Sequence, residues 1–417
     1  MREERWAASR AYLLALGLIA LSMAFPETLI NFYLRARGQD QTWIGIFHAS
    51  SQLGGLVLGL PAVWLFERIR RRVALWAGLG FATAVRLVTV MPVEMPLVLA
   101  AEALSGFGTV MFGLASVSVL ADLTTPHDRA VWYGRADFVR IGATLVGGLL
   151  AGVLPAWAAQ WWDAPPQSAE SYRPVLVLAF LVRFAALIPL AVVARARDAA
   201  GAPLLRNVQP AHYLNLRALL SLPPRLYLLA LPLVLVLTAQ SLRSTFFSLF
   251  LRDWFGASDA LVGATLGLQG VVGASAALAA SVLAARWGYR RCVAGGLALS
   301  TVATIGLVLT DELAAALPFV FLGSAGFQAA LVLYRVFAIN AAPREEHFIL
   351  STLLALASNA GPTFGPYMSG LVLTFGGYGL LMLLAASLWV VSVGMFVWVS
   401  GRLRAPSFRP SPQILTE

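Results

Sequence analysis

The chain neither alternates apolar and polar residues nor confines the apolar ones to a narrow helical stripe. Its apolar residues gather into runs of 18 to 28, bounded by Arg, Pro or Gly. A helix that crosses a bilayer needs about 20 such residues. Twelve spans are predicted, at residues 12–33, 42–66, 73–91, 97–120, 136–156 and 174–193, then at 226–251, 260–285, 292–309, 313–337, 348–375 and 380–399. Residues 194–225 hold five arginines, several prolines and no run long enough to span. The expected fold class is therefore an all-α integral membrane protein with 12 transmembrane helices in two pseudo-symmetric six-helix bundles. Residues 1–193 form the first bundle, 194–225 a cytoplasmic linker, and 226–417 the second bundle with a short cytoplasmic tail.

Composition excludes a soluble alternative. Of 417 residues, 59% are hydrophobic and 12% charged, against about 25% charged in soluble domains. All the basic residues are arginines, 30 against 20 acidic ones, for a net charge of +10. An all-arginine set reads as a coding bias and gives no reason to expect nucleic acid. Its distribution reports topology instead. Twenty-one arginines fall in the N-terminus, alternate loops, linker and C-terminus, and four in the opposite loops. Positively charged loops are held on the cytoplasmic side, so both termini are expected there, in a cell inner (plasma) membrane. The first apolar run outlasts a signal peptide's and lacks a cleavage site, so it is read as a retained span. With Cys292 the single cysteine, no intramolecular disulfide or multi-cysteine metal site is possible. No His, Cys or carboxylate cluster has metal-ligand spacing, and neither metal nor cofactor is expected.

The two halves repeat each other at a shift of 218 residues. Gly38, Gly45, Gly55, Gly78, Gly108, Gly147 and Gly152 fall on Gly256, Gly263, Gly273, Gly296, Gly326, Gly365 and Gly370. Chance would align about 1.6 such pairs, so the bundle is duplicated. Each half also carries a basic turn between its second and third spans, LFERIRRR from Leu65 and LAARWGYRR from Leu283, in which Arg68 and Arg72 meet Arg286 and Arg290. On charge alone these are positive-inside loops whose side chains snorkel to the membrane surface.

Taken together the turns resemble the GxLADRxGRR loop of the major facilitator superfamily, and the six-plus-six plan extends the resemblance over nearly the whole chain. The resemblance implies a cytoplasmic gate at Glu67, Arg68, Arg72, Arg286 and Arg290, with Glu67 in place of the usual Asp and Ala285 in place of the second acid. Span 5 reads GATLVGGLLAG, from Gly142 to Gly152, and span 11 reads GPTFGPYMSG, from Gly361 to Gly370. Such glycines bare one helix face for close packing. They also resemble the family's exporter motif GxxxxGPxxGG, although Gly148 stands at its Pro and Ala151 at a Gly. In span 4, EALSGFG matches the glycines of the proton-coupled RxxQGxG at Gly106 and Gly108, but Glu102 replaces its Arg and Ser105 its Gln.

An ionisable group deep in a bilayer needs a partner, water or a function. Glu27, Glu102 and Arg243 lie about 8–9 Å outward of the centres of spans 1, 4 and 7. By resemblance these spans line a central cavity, which makes the three residues a candidate proton-coupling set or a static salt bridge. Arg86 is the alternative partner for Glu102. Asn31, Gln240 and Gln328 are candidate substrate contacts or interhelical ties. His48 is expected to pack, Asp137 and Arg140 to pair locally, and Arg183 and Arg335 to be structural.

The resemblance implies a secondary active transporter of a small organic solute working by alternating access. It is expected to be a monomer, coupled to protons, and an exporter or antiporter. Uptake symport or uniport of a sugar or metabolite is the alternative, with a non-transporting receptor or scaffold as a third class. Without a lysine no GxxxxGK[ST] phosphate loop exists, so ATP hydrolysis by this chain is excluded. No residues assemble into an enzyme's catalytic set.

Overall fold

The computed structural model describes residues 2–124, 128–195, 223–343 and 346–402. The chain forms helices α1 (Arg2–Ala36), α2 (Gln41–Arg68), α3 (Arg71–Arg86), α4 (Met95–Leu123), α5 (Arg129–Trp161), α6 (Ala169–Ala185) and α7 (Leu187–Arg195). There follow α8 (Pro224–Thr245), α9 (Phe247–Phe255), α10 (Asp259–Trp287), α11 (Tyr289–Val308), α12 (Leu313–Ala341) and α13 (His347–Arg402). This all-helical pattern accommodates the twelve expected spans. The sixth is α6 with α7, the seventh is α8 with α9, and the last two share α13, which turns at Gly377 (φ 71°, ψ −174°). Most of the expected linker, residues 196–222, lies outside the described residues.

Local chemistry accounts for the helix ends. Asp40 caps α2 by accepting from the Trp43 backbone N–H at 2.9 Å, and Ser168 caps α6 by accepting from that of Ser171 at 3.3 Å. Gly38 and Gly256 hold φ of 80° and 67° at the turns that end α1 and α9. These two positions are related by the 218-residue shift, so the duplication repeats a left-handed turn that glycine adopts without a Cβ clash. On the outside, Phe138, Leu278 and Phe375 are 80%, 73% and 85% exposed, the apolar surface that hydrocarbon rather than water covers.

The helices form two compact units. The first holds α1–α7 together with Ser248–Leu268, and the second holds α8, the remainder of α10 from Gln269, and α11–α13. By these contacts α9 and the start of α10 join the first unit. Small residues explain why: a Cβ on Gly148 would stand 2.7 Å from Gly263 O, and one on Gly152 would stand 2.6 Å from Asp259 O. Backbones this close admit no side chain between them. Gly147 turns the same way toward α1, 2.6 Å from Leu21 O, whereas Gly142 meets nothing within 4 Å. In the second unit Gly361 and Gly365 seat α13 against α8 beside Thr238. Most glycines of the two export-like stretches thus have a packing use.

Candidate functional site

Glycine contacts also place the polar residues of the first unit. A Cβ on Gly108 would stand 2.6 Å from Gly78 O, so α3 and α4 touch backbone to backbone. Two turns beyond Gly78, Arg86 then reaches Glu102 and Ser105 of α4. On the other flank a Cβ on Gly106 would stand 2.5 Å from Ser51 O, which brings α2 to the same place. Arg86 Nε donates to Glu102 Oε1 at 3.1 Å and to Ser105 Oγ at 3.1 Å, while Nη2 donates to Ser51 Oγ at 3.0 Å. Nη2 also lies 2.9 Å from Glu102 Oε1. Arg183, on α6, is 5% exposed and close enough to feel both the Arg86 and Glu102 charges, yet its Nε has no hydrogen-bond partner among the described residues.

Asn31 extends this polar layer. Its Nδ2 donates to Ser248 Oγ at 3.2 Å, and its Oδ1 accepts from His48 Nε2 at 2.8 Å. His48 therefore makes a polar bond in addition to packing edge-on against Phe47. Glu27, one turn earlier on α1, is exposed and has no hydrogen-bond or ion-pair partner among the described residues. Of the two expected partners for Glu102, Arg86 is the one it pairs with in the first unit, through the α3–α4 contact.

A second polar group ties Ser248–Leu268 to the rest of the first unit. Arg35 Nη1 donates to Asp253 Oδ2 at 2.5 Å. Tyr172 donates its hydroxyl proton to Asp259 Oδ2 at 2.8 Å and accepts from Arg252 Nη1 at 3.0 Å. Arg252 also reaches Gln167 and lies over the Phe32 ring at 4.8 Å. Sequence reading missed Tyr172, Asp253 and Asp259. One signal was available, since Arg35 and Asp253 are 218 residues apart and so occupy equivalent positions of the two repeats.

In the second unit Arg243 is 2% exposed. Its guanidinium lies 5.7 Å over the Phe247 ring, and Nη1 packs where a Gly323 side chain would otherwise stand, 2.5 Å from that Cβ position. Among the described residues Nη1 has no hydrogen-bond partner, nor has Gln240 Oε1 one turn earlier on α8. Gln328, on α12, fills the space left by Gly273 of α10, and Arg140 pairs locally with Asp137 at 3.0 Å. At the basic turns Arg72 is 6% exposed and Arg68 exposed. Arg286 is also exposed, and Arg290 donates to Val397 O at 3.4 Å. The Glu67 side chain lies outside the described residues.

Helices of this length, apolar outside and hydrogen-bonded through polar side chains inside, define a multi-pass membrane protein built by duplication. The chain belongs to the major facilitator superfamily, whose profile matches residues 12–347, and it is a secondary transporter rather than an enzyme. No curated protein matches the sequence. Among solved structures it is similar to a bacterial homologue of the human lysosomal transporter Spinster in an inward-facing, unoccupied conformation. That likeness has a TM-score of 0.75 and 15% identity, over 96% of this chain and 98% of the other. A bacterial homologue of the iron transporter ferroportin gives 0.73 and 15%, over 95% and 99%. A mutant of the nucleoside transporter NupG gives 0.73 and 12%, over 94% and 99%.

Proposed function

We propose that the protein exports a small organic solute across the inner membrane by alternating access, as a monomer that exchanges the solute for protons. The observation that carries proton coupling is Glu27, a carboxylate within a span that is exposed and unpartnered among the described residues. A free carboxylate in such a place can take up and release a proton without breaking a salt bridge. Glu102, already bound to Arg86, has a positioning share in coupling, and Arg243 sets a fixed positive charge in the second unit. Asn31, Gln240 and Gln328 are the proposed substrate hydrogen-bonding groups. Asn31 is oriented for it by His48 and Ser248, and Gln240 has a free acceptor.

The arginine distribution supports cytoplasmic termini, which places the basic turns on that side. There Glu67, Arg68, Arg72, Arg286 and Arg290 form the proposed inner gate. The glycine spacing of span 5 supports export. Structural neighbours are described as a nucleoside transporter and a homologue of an iron transporter, and a buried interior whose ions are mainly arginine favours an organic solute over a metal cation.

The test is Glu27→Gln in proteoliposomes. A gradient of one pH unit stores about 1.4 kcal/mol per proton, enough for about tenfold accumulation. The variant should lose that accumulation, with a concentration ratio near one, while exchanging labelled for unlabelled solute at a rate close to wild type. Exchange needs the conformational change but no net proton release. Accumulation undiminished in the variant would remove Glu27 from coupling.

A further inference from the structure

The transported solute's charge class can be read from the first unit. Arg183 lies within electrostatic range of Arg86 and Glu102, and among the described residues no other charged group acts on it. Two guanidinium groups against one carboxylate leave one positive charge uncompensated in a place that is largely shut off from water, since Glu102 and Arg183 are each 5% exposed. Arg86 spends its donors on Glu102, Ser51 and Ser105, whereas Arg183 Nε has no acceptor among the described residues. A guanidinium is a planar fork of donors matched to carboxylate and phosphate oxygens. Buried without such a partner it opposes folding, and proteins accept that cost where a ligand supplies the missing charge.

Neighbouring groups make the site wider than one ion. The Arg86 side chain remains 18% exposed, and Ser51 and His48 are half-buried beside it. We propose that this layer is an anion site, and that the transported solute is an organic anion whose carboxylate or phosphate is received by Arg183 with Arg86. A cationic solute meets net repulsion there, and a neutral one leaves the extra charge unbalanced. The inference rests on the transporter reading above and adds the solute's charge class to it.

The test uses the full-length protein in detergent and its thermal unfolding midpoint. Acetate, octanoate and inorganic phosphate each replace chloride at fixed ionic strength, with acetamide and octanamide as neutral counterparts of the two carboxylates. At least one anion should raise the wild-type midpoint by about 2 °C, and a neutral counterpart should not. Response to a carboxylate or to phosphate alone distinguishes the two acidic groups. Arg183→Met, which removes the unpaired charge and keeps the apolar stem's volume, should start at a higher midpoint than wild type and lose the anion response. Arg183→Lys should retain part of it, and Arg243→Met should respond as wild type does.

Three results would each overturn the proposal: no anion shifts the wild-type midpoint, Arg183→Met keeps the full response, or Arg183→Met melts lower or fails to fold. The last would make Arg183 a structural tie. Failure here is separable from failure of the transporter reading, because protein-dependent exchange of a neutral or cationic solute would refute the anion site alone. Anion binding with no exchange of any bound compound would instead refute transport.

Discussion

Glu102→Gln is expected to be the most damaging single change to the polar interior, lowering stability by about 3–5 kcal/mol. The loss does not come mainly from one ion pair. The coupling energy of a hydrogen-bonded pair inside a membrane bundle, isolated by a double-mutant cycle, averages only about 0.6 kcal/mol. The loss comes from what remains: half-buried Arg86, held over α4 by the Gly78–Gly108 contact, and buried Arg183, two cations with no carboxylate. The side chains of Arg86 and Glu102 are 18% and 7% exposed, so water screens little of that repulsion. Arg86→Gln combined with Glu102→Gln should recover most of the loss, since it restores the charge balance while giving up the pair. Thermal midpoints of the two single variants and the double variant check this. A Glu102→Gln midpoint within about 1 °C of wild type would mean that the arginines are hydrated, contrary to the packing described.

Gly263→Leu is expected to cost more than about 3 kcal/mol and to abolish transport. A Cβ there would stand 2.9 Å from Gly152 N and closer still to Gly148 O, so the larger side chain must push α10 away from α5 along its length. That displacement also pulls Asp259 from Tyr172, a 2.8 Å bond, and Asp253 from Arg35. The contrast lies within the same glycine family. Gly142→Leu, with nothing within 4 Å of its Cβ position, should change stability by less than about 0.5 kcal/mol. Expression, monodispersity and midpoint of the two variants decide between packing and a motif role, because a role for the export-like pattern as a unit predicts that both variants lose transport while folding normally.

Helix positions were legible in the sequence because the bilayer imposes them. A span must be apolar along about 20 residues, and little else in the chain competes with that signal. The break at Phe246 was not legible, for no Pro or Gly marks it, whereas Pro189 cannot bond back to the Ala185 carbonyl and so marks the break at Ala186. Arg86 and Arg243 were both possible partners for Glu102, and depth along the membrane normal could not choose between them. The choice was made by lateral contact, through Gly78 and Gly108, which only the packed helices reveal. Arg183 was read as structural because its own helix offers no partner; its neighbours lie on α3 and α4. Tyr172 and Asp259 were passed over because polar residues at span ends ordinarily face water, while here they bond each other beneath Arg252. The family's own motifs were of limited use, since Glu102 and Ser105 stand where its proton-coupled members carry Arg and Gln. They nonetheless fall in the polar layer, as ligands of an arginine supplied by α3.

The most direct test of alternating access is counterflow through wild-type protein in liposomes. A compound that shifts the melting midpoint is loaded inside at high concentration, and a trace of its labelled form is added outside. Label should enter faster than in protein-free liposomes and transiently exceed its outside concentration, because each carrier returns with unlabelled solute. Entry at the protein-free rate for every compound that binds would contradict alternating access, and would leave a membrane receptor with the fold of a transporter.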